Sequence, residues 1–406
     1  MQQVEIIPHL FRREYRKIVA VLCKRFGFDL VEIAEDIASD TFITAAQNWP
    51  MKGVPENPTA WLYTVAKNNA KNLLQRNHLF ETKISAEIKR SSDNFYEDEI
   101  DLSVKNIYDS QLQMMFAVCH PCISKEAQVG LSLRILCGFG IEEIADAFLT
   151  NKETIGKRLQ RAKQKLREEN IAIELPGEIE TRLEAVLTTI YLLFNEGYYS
   201  ISQNNTIRKE FCLEAMRLCN LLIENEYTNK PQVNALLSLM CFHSSRFDAR
   251  IDKNGEMILY EEQDTNLWNT ELINKGIYFL KCSSEGNHIS KYHLEASIAF
   301  WNTQKTDTKE KWESILQLYN RLLQIEYTPI AALNRTYALS KANNKEHAIA
   351  EAEKLKLTTN QFYYALLGEL YTGIDNVKAK QHFEQAIELA KTQNDKMALQ
   401  KKLLSL

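Results

Sequence analysis

An all-α fold is predicted by two features of the sequence. Glycine (13) and proline (8) are scarce for 406 residues, whereas the many turns of a sandwich or barrel would need more of both. In several segments, apolar residues recur at the three- and four-residue spacing of an amphipathic helix. The composition, with 45% hydrophobic and 25% charged residues, is that of an ordinary globular protein, and the length suggests two or three domains.

Charge is distributed unevenly along the chain. The net charge of −4 excludes a protein that is basic overall, so any nucleic-acid site must be local. Residues 60–90 hold six basic and two acidic groups, and residues 152–167 hold seven basic groups and one acidic group. The acidic stretch SSDNFYEDEIDLS separates them, which we interpret as a linker between two small domains. Eight cysteines are too sparse for a disulfide framework, and no apolar run is long enough for a membrane span, so we expect a cytoplasmic protein.

The segment AEDIASDTFITAAQ predicts the first functional helix. Its apolar residues recur at helical spacing and predict a buried stripe: Ala34, Ile37, Ala38, Phe42 and Ala45. Four polar residues lie off that stripe: Glu35, Asp36, Ser39 and Asp40.

The segment TAWLYTVAKNNAKNLLQR predicts a second helix with two distinct faces. The apolar arc consists of Trp61, Leu62, Val65, Ala66 and Leu73. The opposite arc is basic and rich in amides: Thr64, Lys67, Asn68, Lys71 and Gln75. We therefore expect one face in the core and the other available to phosphates and bases.

Residues 107–170 predict a helix-turn-helix, in which GIEEIADAFL is followed by LTNKETIGKRLQRAKQKLREE. Thr150 and Glu153 fit a capping box that would fix the start of the last helix. Its apolar stripe is Ile155, Leu159, Ala162 and Leu166, and its far side carries Thr154, Lys157, Arg158, Arg161 and Lys165. Such a helix enters the major groove by its N-terminal end, where its basic side chains neutralise phosphates and arginine pairs with guanine. The turn lacks the usual glycine.

Together these segments resemble the extracytoplasmic-function (ECF) sigma factors of RNA polymerase. DIASDTFITAAQNW is similar to the segment that grips the polymerase clamp, PTAWLYTVAKNNAKNLLQR to the helix that melts and reads the −10 element, and GIEEIADAFLTNKETIGKRLQRAKQKLR to the region-4 reader of the −35 element. The resemblance implies a region-2 domain at 1–80, an acidic linker at 81–106 and a region-4 domain at 107–170. It also implies that the polymerase performs the chemistry, so that the chain is not an enzyme and needs no cofactor.

The same resemblance implies roles for particular residues. Polymerase binding would fall to Asp36, Ser39 and Asp40. The −10 region would be held by Lys67, Asn68, Lys71, Asn72 and Arg76. The −35 region would be read by Lys152, Thr154, Lys157, Arg158, Arg161 and Lys165.

Residues 171–406 extend beyond a two-domain sigma factor and resemble the ECF subgroup with a tetratricopeptide-like (DUF6596-type) extension. RLEAVLTTIYLLFNEGYYS and LLSLMCFHSSRFDARID carry that resemblance. It implies a regulatory extension, no conventional membrane anti-sigma factor, and coupling to small DGPF/YCII-type proteins. From the residues themselves, Leu333, Asn334 and Tyr337 are followed 34 residues later by Leu367, Gly368 and Tyr371, which is the tetratricopeptide period. Phe383 fits the second copy of this repeat.

Two local features of the sequence have competing interpretations. Asn254-Gly255 between alternating apolar residues predicts a short β-hairpin, with Arg246, Arg250, Asp264 and Trp268 around it. That group is either an anion-binding or partner-docking pocket or an ion-paired packing cluster, and packing is the favoured interpretation. Cys119-His120-Pro121-Cys122 carries residue types that suit zinc, but the spacing is not that of paired C-x2-C motifs, so buried packing without a metal is expected.

Two other classes of protein remain open. A DNA-binding transcriptional regulator with a tetratricopeptide-like sensor domain would need no clamp-binding helix, and DIASDTF argues against it. A tetratricopeptide scaffold would require the 34-residue period to continue into residues 1–170, which it does not.

Overall fold

The computed structural model describes residues 6–84, 100–199, 205–250, 258, 260–390 and 393–406. The regular structure in these ranges is helical, which confirms the predicted all-α class. The chain forms two compact units, residues 1–228 and residues 229–406. The predicted β-hairpin falls mainly on residues 251–257, which lie outside the described residues.

The first unit is built from helices that carry all three of the predicted functional segments. In chain order they are α1 (Ile6–Phe26), α2 (Val31–Lys52), α3 (Pro58–Ile84), α4 (Val104–Val118), α5 (Lys125–Leu131), α6 (Ile141–Ala147), α7 (Lys152–Glu168), α8 (Ile179–Tyr199) and α9 (Asn205–Ile223). One π-helical turn, Ser132–Leu136, extends α5.

Helix α1 lies at the centre of this unit and packs against α2 and α4. Its residues from Ile18 to Cys23 are buried on all sides, as expected of a helix that neighbours surround. Gly27 follows the last residue of the helix, and its N–H donates to the carbonyl of Cys23. Its positive φ of 80° is a conformation in which a side chain would be strained.

Two helices of the predicted extension belong to the first unit. Helix α8 packs against α4 and α5, and α9 packs against α4 and α6. Phe211 on α9 meets Phe139 edge to face, with 4.7 Å between the ring centroids. The compact units therefore do not coincide with the four sequence segments, whose boundaries stay predictions.

The second unit is a series of helices, and from Thr270 onward consecutive members pack on each other. They are α10 (Pro231–Ser244), α11 (Phe247–Arg250), α12 (Thr270–Cys282), α13 (Lys291–Trp301), α14 (Lys309–Ile325), α15 (Pro329–Ala342), α16 (Lys345–Leu355), α17 (Gln361–Tyr371), α18 (Asn376–Leu389) and α19 (Gln393–Leu404). Short polar side chains begin many of them by accepting a backbone N–H bond, as Thr308, Asn344 and Asp375 do.

The residues of the predicted 34-residue pattern form the contact between α17 and α18. Leu367, Gly368 and Phe383 are buried there. A Cβ atom on Gly368 would lie 2.9 Å from the ring of Phe383, so the glycine is required for the two helices to approach this closely.

A second glycine makes an even closer helix contact. A Cβ atom on Gly276 of α12 would lie 2.6 Å from the fully buried ring of Phe242 on α10. We expect Gly276→Ala to lower the free energy of unfolding by about 1–3 kcal/mol, the usual cost of overpacking a core. Gly156→Ala is the matched control, because nothing lies within 4 Å of its added Cβ, and it should instead stabilise by about 0.5–1 kcal/mol. Urea unfolding of both variants measures the difference, and equal stabilisation by both would contradict the packing described.

Within the described ranges, no helix is both long and apolar enough to span a membrane. The same part of the chain contains no group of three His, Cys, Asp or Glu side chains placed to hold a metal ion. Cys119 and Cys137 are both buried as free thiols, and Nδ1 of His120 accepts the backbone N–H of Cys122 at 3.2 Å.

Candidate nucleic-acid interface

Helix α7 begins one residue later than the capping-box prediction placed it. The side chain of Asn151, rather than Thr150, accepts the N–H of Thr154 at 2.8 Å. The N–H of Thr150 is instead bonded to the carbonyl of Ala145 within the preceding turn. That bond commits Thr150 to the turn, so the predicted Thr150–Glu153 box is wrong and Asn151 is the cap.

The turn before α7 contains a leucine in a backbone conformation that is usually adopted by glycine. Leu149 adopts a positive φ of 48°, the left-handed conformation that glycine normally supplies at little cost. Its side chain is 65% exposed, so the strain is not offset by burial in the core. The chain therefore forms the turn between α6 and α7 without the glycine that is usual there.

The two faces of α7 are divided as the sequence predicts. Its predicted apolar stripe is buried. On the far side Lys152, Thr154, Lys157, Arg161 and Lys165 are exposed and Arg158 is half-buried. Lys152 pairs with Glu142 at 2.6 Å and Lys165 pairs with Glu169 at 2.7 Å, so the remaining basic side chains on this face carry its excess positive charge.

A groove of about 460 Å³ runs along this face, and the basic side chains of α7 form one wall of it. Thr154, Lys157, Arg158, Arg161 and Lys165 contribute from α7, and residues 122–124 before α5 contribute from the other side. A concave surface with lysine and arginine along one wall suits the phosphate backbone of a nucleic acid.

Helix α3 presents the second predicted basic face. Leu62, Ala66 and Ala70 are fully buried, and Trp61 is half-buried against Trp49, with ring centroids 5.4 Å apart. Lys71 is exposed. Asn68 and Asn72 are exposed too, and Lys67 is half-buried. The backbone of α3 is described through Ile84, but the side chain of Arg76 lies outside the described residues.

Helix α2 carries the predicted polymerase contacts. Asp36 and Asp40 are exposed, one helical turn apart, whereas Ser39 is half-buried and donates its hydroxyl to the carbonyl of Glu35 at 2.8 Å. Ile43 follows on the same face and is 52% exposed; its position along the chain did not indicate this exposure. These three side chains give α2 an accessible face that is acidic and has one apolar member.

Glu35 was expected to face away from the core, but it is buried. Its carboxylate accepts from Nε of Arg134 at 2.9 Å and pairs with Nζ of Lys163 on α7. The hydroxyl of Tyr15 accepts a bond from the same Arg134 at 3.2 Å. Glu35, Arg134 and Lys163 form one ion cluster, which we call the Glu35 cluster, and it fixes α2 to α7.

A second set of ion pairs fixes α1 to α9. Arg12 pairs with Glu210 and, at 2.7 Å, with Glu143, and Arg16 pairs with Glu214. Burial alone would raise the pKa of the Glu214 carboxyl, but the neighbouring guanidinium groups of Arg217 and Arg16 outweigh it and hold that pKa below its usual range. Glu214 is therefore ionised in the folded protein, and its charge stabilises the folded state.

We expect Glu214→Gln to lower the free energy of unfolding by about 3–5 kcal/mol near neutral pH, because it leaves the buried guanidinium of Arg16 without its partner. The folded-state pKa of Glu214 is lowered, so its contribution is fully present above the unfolded pKa of about 4.3 and is lost as the pH falls through the folded value. Urea unfolding across acidic and neutral pH should show the gap between the two proteins closing on acidification. Glu226→Gln, at an exposed position, is the control, and a gap independent of pH would contradict the assignment.

Comparison with known proteins identifies the two parts of the chain. The family Sigma-70 region 2 matches residues 10–79. This range contains most of α1, all of α2 and most of α3. Residues 182–284 match the Family of unknown function (DUF6596).

A relative is similar to this chain over most of its length. Uncharacterized protein R00370 of Rhizobium meliloti (strain 1021) is 31% identical over 371 residues, which cover 89% of this chain and 87% of the relative. No solved structure matches the chain. The chain belongs to the sigma-70 family of RNA polymerase sigma factors, as an ECF-like member with a C-terminal DUF6596 extension.

Proposed function

We propose that this sigma factor binds core RNA polymerase through α2, holds the −10 element with α3 and reads the −35 element with α7. Members of the sigma-70 family are transcription initiation factors that act with core polymerase and promoter DNA. In this role the polymerase supplies the catalytic groups, and the factor, acting in the cytoplasm, supplies recognition.

The groove along α7 is the observation that carries the −35 assignment. Its basic wall is rigid, because the apolar stripe on the opposite side of α7 is buried and the Asn151 cap fixes the first turn. The side chains nearest the N-terminal end, Thr154, Lys157 and Arg158, line the groove. This is the part of a recognition helix that contacts base edges.

The roles proposed for α2 and α3 rest on exposure and charge. Asp36, Asp40 and Ile43 share one accessible face of α2, which suits a basic and partly apolar partner surface. On α3, Lys67, Asn68, Lys71 and Asn72 combine positive charge with amides that can bond to bases. Arg76 is proposed for this face from the sequence alone.

The DUF6596 extension has a proposed role as a support for the DNA-binding unit. Its helix α9 holds α1 through the Arg12–Glu210 and Arg16–Glu214 pairs. We infer that the extension acts in cis as the regulatory part of the protein, in place of a separate anti-sigma factor. A small DGPF/YCII-type partner is an expectation from the family resemblance.

The alternative function is a DNA-binding transcriptional regulator with a tetratricopeptide-like sensor domain. The match to sigma-70 region 2 favours the sigma factor, since a regulator of that kind needs no polymerase-binding helix. Co-purification with core polymerase distinguishes the two, because only the sigma factor would form a stoichiometric complex.

Transcription in vitro tests the proposal directly. Core polymerase should be combined with the full-length protein on genomic DNA, and the 5′ ends of the transcripts should be mapped. The expected result is a small set of start sites that share sequence elements near −10 and −35 and require the protein. Transcripts that are identical with and without the protein would contradict the proposed function.

A further inference from the structure

The second unit contains two buried cations that have no carboxylate partner. Arg246, just before α11, is 8% exposed, and Lys311, in the first turn of α14, is 3% exposed. In the described part of the chain neither side chain forms an ion pair. Buried charges are normally paired, because desolvation of an unpaired ion is costly.

Aromatic rings hold the two cations close together. The guanidinium of Arg246 lies 5.3 Å from the ring centroid of Tyr260 and 6.0 Å from that of Trp268. Nζ of Lys311 lies 5.6 Å from the Tyr260 ring and donates to the Tyr260 hydroxyl at 3.3 Å. Tyr260 therefore separates and positions two positive charges on a single aromatic platform.

The nearby carboxylates are engaged elsewhere. Asp307 accepts from the indole N–H of Trp312, and Glu261 accepts from the hydroxyl of Tyr337 at 3.0 Å. Both also lie within 4 Å of Lys341, at 3.8 and 3.6 Å respectively. Asp264 accepts the N–H of Asn266 at 2.9 Å in its own turn. None of these carboxylates forms an ion pair with Arg246 or Lys311. The ammonium of Lys311 instead donates to the backbone carbonyl of Gln304 at 2.8 Å, a neutral acceptor.

Buried polar atoms beside the cations also lack partners. Nε of Arg246, Nε1 of Trp268 and Oγ1 of Thr265 are buried without a hydrogen-bond partner among the described residues. The two nitrogens can only donate, and the hydroxyl can donate as well. One acceptor of this segment, Oε1 of Gln263, is also buried without a partner, but the unsatisfied donors and the two cations outnumber it. The group as a whole therefore favours an added acceptor that carries negative charge.

The surrounding titratable groups respond to this positive charge. Burial, together with Arg246 and Arg250, holds the pKa of the His243 imidazole well below its usual range. Burial also lowers the pKa of the Lys311 ammonium, and Arg246 lowers it further, against the opposite effect of Asp307.

We propose that Arg246, Lys311, Trp268 and Thr265 form a binding site for a small oxyanion, a phosphate or carboxylate group carried by a small molecule. A guanidinium presents a planar fork that matches both groups, and the indole and hydroxyl supply further donors. The sigma factor would thereby sense an anionic metabolite through its extension, at a site in the second unit.

Thermal unfolding of the full-length protein tests this site. Inorganic phosphate and acetate are each titrated against sodium chloride at matched ionic strength, and the intrinsic tryptophan fluorescence is followed in parallel. At least one oxyanion should raise the unfolding temperature beyond the chloride control. Arg246→Met and Lys311→Met should each weaken that anion roughly tenfold or more, as expected for loss of a charge-assisted hydrogen bond. Arg321→Met, at an exposed position on α14, removes a guanidinium in the same unit and should leave the response unchanged.

The outcomes separate the interpretations. A response to phosphate alone assigns a phosphoryl ligand, and a response to acetate alone assigns a carboxylate ligand. The absence of any response beyond chloride, or equal weakening by Arg321→Met, would overturn the site. If the Arg246 variant fails to fold by circular dichroism, Trp268→Phe removes one donor and keeps an aromatic ring. An unaltered response in that variant and in Lys311→Met would likewise overturn the site.

Discussion

Asp36→Lys combined with Asp40→Lys should abolish stable association with core RNA polymerase. The two carboxylates are exposed on one face of α2, and replacing both changes the charge of that face by four units, from attraction to repulsion. Like-charge contacts across an interface cost several kcal/mol, so we expect a loss of affinity of at least about a hundredfold. Co-purification and a binding titration with purified core polymerase measure it.

The control variant has the same change in net charge, but on a different helix. Glu384→Lys with Glu388→Lys reverses two exposed carboxylates four residues apart on α18 and should leave polymerase binding intact. Binding of the Asp36/Asp40 variant to a −35 duplex should also be unchanged, which excludes misfolding. Normal co-purification of that variant with polymerase would refute the role proposed for α2.

Arg158→Ala combined with Arg161→Ala should weaken binding to the cognate promoter strongly and reduce its dependence on salt. Both side chains line the groove along α7, and each lost phosphate contact should reduce the slope of log K against log salt by about 0.9. If one of the two arginines pairs with a guanine instead, its loss should cost about 1–3 kcal/mol at that base. Fluorescence anisotropy with a promoter duplex over a series of salt concentrations measures both effects.

Lys305→Ala with Lys309→Ala removes the same charge from exposed positions in the second unit and serves as the control. The control should retain the wild-type salt slope. An unchanged slope in the α7 variant, with the fold intact by circular dichroism, would be incompatible with phosphate contacts by these arginines.

The local features of the fold could be read from the sequence because they depend on neighbours along one helix. The stripe of Ala34, Ile37 and Phe42 on α2 is buried as its spacing predicts. The predicted start of α7 was wrong by one residue. Asn and Thr both cap helices well, so the adjacent Thr150 and Asn151 were both suitable caps. The burial of Leu367 and Phe383 also follows from a repeat that is visible in the sequence.

The ion clusters could not be read from the sequence, because their members meet only in the folded chain. A helical wheel assigns Glu35 to the solvent side of α2, whereas its partners Arg134 and Lys163 lie 99 and 128 residues further on. Arg246 and Trp268 could be singled out together because 22 residues separate them. Lys311 could not, since only the packing of α14 brings it to Tyr260.

The Glu35 cluster has a thermodynamic consequence for initiation. Under the proposed roles, α2 presents Asp36 to the polymerase while the adjacent Glu35 holds Lys163 of the helix that reads DNA. If binding to polymerase shifts α2, the hold on α7 changes as well, and the two binding equilibria then share a coupling free energy. Such coupling is reciprocal and is typically about 5- to 150-fold. The factor by which polymerase changes the affinity for the promoter must equal the factor by which the promoter changes the affinity for polymerase.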